Sequence, residues 1–183
     1  MFKELISRLG TSLSRRKIPY MVIGGQAVLL YGSPRLTKGI DITLGVSVDR
    51  LADMEEMCRF EDFKILPENH KVFVQDTHVL PVKDESTGIR IDFIFSYTPY
   101  EEQAIKRAKS VRIGKGEAQF ASVEDLIIHK IFSGRPRDME DAKNIMVKNS
   151  DMDRTYIRKW LQKFDKTVEG SRFTDSFMKI IAE

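Results

Sequence analysis

Residues 23–44, IGGQAVLLYGSPRLTKGIDITL, restrict the fold of this chain more than any other stretch. They read as the end of an apolar strand, a Gly-Gly turn, a short helix, a polar loop and a second strand carrying Asp41. Gly24 and Gly25 at a strand exit let the backbone come close to a ligand, and the helix behind them offers unpaired N–H groups and a positive dipole end. Such a turn is a seat for phosphate. The plainer alternative is a turn glycine pair with a surface aspartate nearby.

In the second strand side chains alternate, so Ile40, Ile42 and Leu44 share one face while Gly39, Asp41 and Thr43 share the other. Asp41 then stands at the edge of the phosphate seat. A carboxylate beside bound phosphates is most simply a ligand for Mg²⁺, a hard cation that takes oxygen donors. A second mid-strand acid is expected in IRIDFIF, where Ile89, Ile91, Phe93 and Phe95 form the buried face and Arg90, Asp92 and Ile94 the other. If the two strands are neighbours, Asp41 and Asp92 lie about 5 Å apart and share a cation. An ion pair of Arg90 with Asp92 is the structural alternative.

The flanking sequence sets the rest of the expected architecture. Helical spacing of Phe2, Leu5, Ile6, Leu9 and Leu13 predicts an amphipathic helix over 2–16, and a second follows over 48–60. Period-two patterning predicts strands at 72–75, 78–82 and 89–95, with further short strands at 111–113 and 118–120 after a helix that opens at Pro99. Helices are expected at 123–134, 137–148, 153–164 and 172–182, the first capped by Ser122. The fold class is therefore α+β: a small mixed or antiparallel sheet with flanking helices, residues 1–121, continued by a C-terminal helical unit, residues 122–183, packed on it.

A chain of 183 residues, 42% apolar and 31% charged, has room for one such core and an appended helical unit. Without an apolar run near the roughly 20 residues that span a bilayer, or a secretory pattern at the start, a cytoplasmic location and no membrane partner are expected. The single cysteine, Cys58, excludes an internal disulfide and sits among Met54, Met57 and Phe60 as a buried thiol. His70, His78 and His129 lack ligand spacing, so zinc is not indicated. The net charge is +3, but residues 143–172 hold eight Lys/Arg against four Asp/Glu. That excess suits either an RNA backbone or the solvated face of helices.

In the helix from Val123, Lys130 falls on the stripe of Val123, Leu126, Ile127 and Ile131. An inward lysine needs an anion: a triphosphate, a carboxylate such as Asp138, or a path to solvent for its ammonium group. In the next helix Asp138 and Asp141 turn inward with Ala142 and Ile145.

Taken in order, GG, RLTKGIDI, RIDFIF and SVEDLIIHKIFSGRPRDMEDAKNI resemble the nucleotidyltransferases of the AbiEii toxin type, within the polymerase-beta-like superfamily. The resemblance covers about residues 18–150 and implies a polymerase-beta-like core. It implies transfer of a nucleotidyl group from a nucleoside triphosphate such as ATP to a hydroxyl on RNA, protein or a small molecule, with two Mg²⁺ ions as cofactor. It also implies a toxin with a cognate antitoxin as partner. Carried over, Gly24 and Gly25 match the phosphate turn, and Asp41 and Asp92 match the second and third metal-binding acids. Arg35 and Thr37 in the RLTK segment, with Lys130, Arg135, Arg137 and Asp138, match nucleotide-binding positions, and Asp41, Asp92 and Lys130 the catalytic set.

At one position the chain departs from that pattern. Where the family reads TKDIDI, this chain has Gly39 in place of the first acid. Two-metal transfer uses ions about 3.5–4 Å apart, and loss of a bridging carboxylate weakens catalysis more than nucleotide binding. A neutral Thr43 is a poor replacement for it. A nucleotide-binding or partner-binding module without catalysis is the alternative on the same fold.

Overall fold

The computed structural model describes residues 1–182 and divides the chain into two compact units. The first comprises residues 1–26 and 36–121, the second residues 27–35 and 122–183.

The first unit is built on a seven-stranded mixed sheet. Its strands are β1 (Tyr20–Ile23), β2 (Gly39–Leu44), β3 (Phe63–Ile65), β4 (Val79–Asp84), β5 (Arg90–Phe95), β6 (Lys109–Ile113) and β7 (Gly116–Phe120), ordered β3-β4-β5-β2-β1-β7-β6. β2 runs parallel to β5 and β1 parallel to β7, while the remaining neighbours are antiparallel. The alternation expected for IRIDFIF is borne out in β5, where Ile91, Phe93 and Phe95 are fully buried and Arg90 is exposed. Ile40, Ile42 and Leu44 of β2 supply the adjoining strip of the same core.

Around the sheet lie α1 (Phe2–Arg15), α3 (Leu51–Phe60) after a single 3-10 turn at Val48–Arg50, α4 (His70–Thr77) and α5 (Pro99–Lys106). α1 buries Leu5, Ile6, Leu9 and Leu13 and packs on β7 and β6. α5 begins where Thr98 and Glu101 form a reciprocal cap, with Pro99 in the first turn where its missing N–H costs nothing. Cys58 in α3 is buried, which pushes its thiol up to about 12.

Residues 72–75 are helical, not a strand: they form the middle of α4. The alternation of Val72 and Val74 spans too few residues to set a period, and only Val74 of α4 is buried. Tertiary anchoring decides the matter, since Glu55 of α3 meets His70 at 2.6 Å and His78 closes the helix in the left-handed region. The three-residue β3 falls outside the strands expected from period-two patterning. So short a strand carries no pattern of its own and exists through pairing with β4.

Asp84, at the end of β4, is buried and accepts hydrogen bonds from Arg8, Ser86 and Thr87. Burial pushes its carboxyl up, but the bonds from Thr87, Arg8 and Ser86 outweigh this and hold it below the usual carboxylate range. A lowered native pKa stabilises the fold above the unfolded value of about 4 and loses that contribution as the pH falls through the native one. Replacing Asp84 with Asn is expected to cost about 1.5–3 kcal/mol at neutral pH. In denaturant titrations between pH 3 and 7 the gap from the parent should narrow toward the acid end.

The second unit joins residues 27–35 to α6 (Val123–Ser133), α7 (Pro136–Lys148), α8 (Arg154–Thr167) and α9 (Phe173–Ala182). α2 (Gly24–Tyr31) contributes its first three residues to the first unit and the rest to the second. Ser122 caps α6 by accepting from Asp125 N, and Asp125, fully buried, also receives the Tyr156 hydroxyl at 2.8 Å. Leu126, Ile127 and Ile131 of α6 form the core with Ile157 and Leu161 of α8 and Phe177 of α9. Trp160 and Phe164 stand at its margin, where Phe132 meets Phe164 edge-on and stacks on Phe173. Among the described residues no helix is long and apolar enough to cross a membrane.

Candidate active site

The two mid-strand acids are brought together by sheet register. β2 and β5 pair in parallel with Asp41 directly opposite Asp92, so both side chains leave the same face of adjacent strands about 4.8 Å apart. On its other side Asp41 is opposite Ile23, the last residue of β1, and Gly24 follows at once. The glycine turn, Asp41 and Asp92 therefore lie along one line across three neighbouring strands.

Gly24 has φ +63°, a region that L side chains rarely adopt, and it opens α2. A Cβ placed there would overlap the Asp41 carboxylate at Oδ2. Glycine is required twice over, once by the backbone and once because the carboxylate fills the space a side chain would take. Gly24→Ala is expected to cost about 1–2 kcal/mol of stability through backbone strain and to push Asp41 off its position. Thermal unfolding together with nucleotide titration of that variant measures both.

Two residues before Asp41 on the same strand face is Gly39, opposite Arg90. Its carbonyl accepts from Thr37 Oγ1 at 3.2 Å and from Gln26 Nε2 at 3.5 Å. Gln26 was not singled out from the sequence, although a polar side chain in GGQAVLLY was a visible signal; it is buried beside the loop that leads into β2. Arg90 Nε donates to Asp92 Oδ1 at 2.9 Å, so the ion pair and the pairing of the two acids coexist. That guanidinium offsets the repulsion of two neighbouring carboxylates. Thr43, further along the face, is 1% exposed and its hydroxyl has no hydrogen-bond partner among the described residues.

This donor set fits one hard cation between Asp41 and Asp92. A second ion of a two-ion centre needs another carboxylate, and the position that would supply it is Gly39. Among the described residues no three His, Cys, Asp or Glu side chains come together as a metal cluster.

Other expected site residues belong to the second unit. Lys130, 6% exposed, is 2.6 Å from Asp138 Oδ1 and 2.9 Å from Asp141 Oδ2. Arg135 holds the other oxygen of Asp138 at 3.0 Å, and Arg35 reaches Asp141 Oδ2 at 3.1 Å. Lys130 therefore meets the carboxylate that its inward position made one of its possible partners, and a second acid with it. Arg137 lies on the exposed side of α7.

A seven-stranded mixed sheet with paired acids at its centre and a glycine turn beside them is the polymerase-beta-like nucleotidyltransferase fold. An antigenic nucleotidyltransferase-like protein from Paracoccidioides brasiliensis superposes with a TM-score of 0.58 at 18% identity, over 79% of this chain and 74% of that one. ANT(2'')-Ia in complex with adenylyl-2''-tobramycin gives 0.61 at 14% identity, over 90% and 97%. The lincosamide antibiotic adenylyltransferase LnuA, bound to lincomycin, gives 0.55 at 16% identity, over 79% and 96%. At these identities the likeness is one of fold. Residues 2–172 match the family described as nucleotidyl transferase of unknown function (DUF2204), and the chain belongs to that family. No curated protein matches it.

Proposed function

We propose that this chain binds a nucleoside triphosphate with Mg²⁺ at Gly24, Gly25, Asp41 and Asp92 and transfers its nucleotidyl group to a hydroxyl acceptor at a rate restrained by Gly39. The observation that carries this reading is the direct pairing of Asp41 with Asp92 beside the Gly24 turn. The triphosphate lies on the α2 N-terminus, whose backbone N–H groups and dipole favour negative charge. When bound, a divalent cation between Asp41 and Asp92 neutralises the phosphate oxygens. The acceptor oxygen forms a bond to the α-phosphorus as the bond to the bridging oxygen of the β-phosphate breaks, and pyrophosphate leaves. Asp92 Oδ2 takes the hydroxyl proton, while Arg90 keeps the carboxylate oriented through Oδ1.

Gly39 favours a second reading, a nucleotide-binding or partner-binding module that retains the seat without the chemistry. The motif order resembling the AbiEii type supports a further refinement, a cytoplasmic toxin neutralised by an antitoxin. Calorimetry with ATP, CTP, GTP and UTP, each with Mg²⁺, tests the binding step, and labelled-nucleotide transfer tests the chemistry. Asp41→Asn and Asp92→Asn should each weaken Mg²⁺-dependent binding at least tenfold while the protein stays folded. Unchanged binding in both variants removes the proposal.

A further inference from the structure

Of the helices, α8 has the largest excess of positive charge. α8 carries Arg154, Arg158, Lys159, Lys163 and Lys166 against Asp165 alone, a local +4. All five cations are exposed. At 100° per residue they cover an arc of about 180°, and about 18 Å separates the first from the last. Asp165 pairs with none of them: its Oδ1 accepts from Phe173 N at 2.7 Å and from Ser171 Oγ at 3.2 Å, and its Oδ2 from Thr174 N at 3.0 Å, at the start of the next helix. Among the described residues none of the five cations is in an ion pair. Arg154 with Arg158 and Lys159 with Lys163 are like charges one turn apart, an arrangement that costs helix stability.

We infer that the outer face of α8 is a binding surface for the backbone of a single-stranded nucleic acid. A bilayer surface fits less well, because the aliphatic side chains of α8, Ile157 and Leu161, are fully buried and only the half-buried rings of Trp160 and Phe164 stand beside the basic arc, too little apolar surface for an inserting face. An acidic polypeptide would use the cations alone. At the edge of the basic arc, however, Trp160 stands with the Lys163 ammonium 4.2 Å from its ring centroid, joining an aromatic face to the cations as single-strand binding surfaces do. A terminal hydroxyl on such a strand falls within the acceptor class of the function proposed above; that acceptor role rests on the earlier reading, whereas binding to α8 does not.

Fluorescence anisotropy with a labelled 20-nucleotide RNA, and with DNA of the same sequence, tests this on the full chain without added nucleotide at 50–300 mM KCl. Binding of either strand with a log–log salt slope of about −3, as four to five phosphate contacts require, is expected. Arg158→Gln/Lys159→Gln/Lys163→Gln should bind at least 30-fold more weakly with a slope near −1, and Arg154→Gln/Lys166→Gln should show an intermediate loss. Both variants should melt at or slightly above the parent, since they change exposed side chains and relieve like-charge pairs along α8. No binding at 50 mM KCl, parent-like affinity in both variants, or equal competition by polyglutamate of matched charge would each overturn the inference. Calorimetry with ATP and Mg²⁺ on the triple variant keeps the two readings apart. Loss of RNA binding with nucleotide binding intact is the expected result; RNA binding in a chain that takes up no nucleotide leaves the α8 surface standing and removes the active-site proposal.

Discussion

Placing a carboxylate at position 39 is expected to raise nucleotidyl transfer by at least 10²-fold, about 2.7 kcal/mol of transition-state stabilisation. The backbone admits the change: Gly39 is not among the positive-φ glycines, and it lies in a regular strand. A Cβ there would stand 3.0 Å from the Arg90 carbonyl oxygen, which must give by a few tenths of an ångström. The new side chain would leave the same face as Asp41 and complete a three-carboxylate corner with Asp92. Gly39→Asp should therefore bind a second Mn²⁺ in the presence of nucleotide, countable by electron paramagnetic resonance, alongside the gain in labelled transfer. Nucleotide affinity should change far less than rate. A variant that binds nucleotide and two ions yet transfers nothing would favour the binding-module reading.

The second large effect is on stability. Lys130→Ala is expected to destabilise the protein by about 3 kcal/mol, the lower end of the range for removing one partner of a buried ion pair. It lies at the lower end because Arg35 and Arg135 each continue to hold one of the two acids. Lys130→Ala combined with Asp138→Asn and Asp141→Asn should recover part of the loss, since no carboxylate is then left to compensate. Denaturant midpoints of the single and triple variants measure the difference. Additivity of the three substitutions would show that the lysine and the two acids act independently. Nucleotide calorimetry on Lys130→Met, under conditions where it is folded, tests the role in nucleotide contact that the family resemblance implies.

Much of the candidate site's local geometry was legible in the sequence because its signals are local. The Gly24–Gly25 turn, the period-two strand faces and the inward stripe of α6 each depend on residues within a few positions of one another. The weakest local signals were misread or missed. The Val72 and Val74 alternation belongs to a helix held by the contact of His70 with Glu55, and β3 exists only through its partner strand. Gln26 is similar: its bond to the Gly39 carbonyl joins residues 13 apart that no short-range pattern connects.

Sequence alone determined which side chains share a face of β2, β5 and α6, since backbone periodicity dictates that before any packing occurs. It also displayed the glycine at position 39 and the cationic face of α8. Only the tertiary structure decided that β2 lies beside β5 in the register that sets Asp41 against Asp92, that Gly24 makes room for the Asp41 carboxylate, and that Lys130 is held by two acids. The reason is that strand order, register and ion-pair choice are settled by burial and pairing between distant segments, whose energies no single stretch of chain contains.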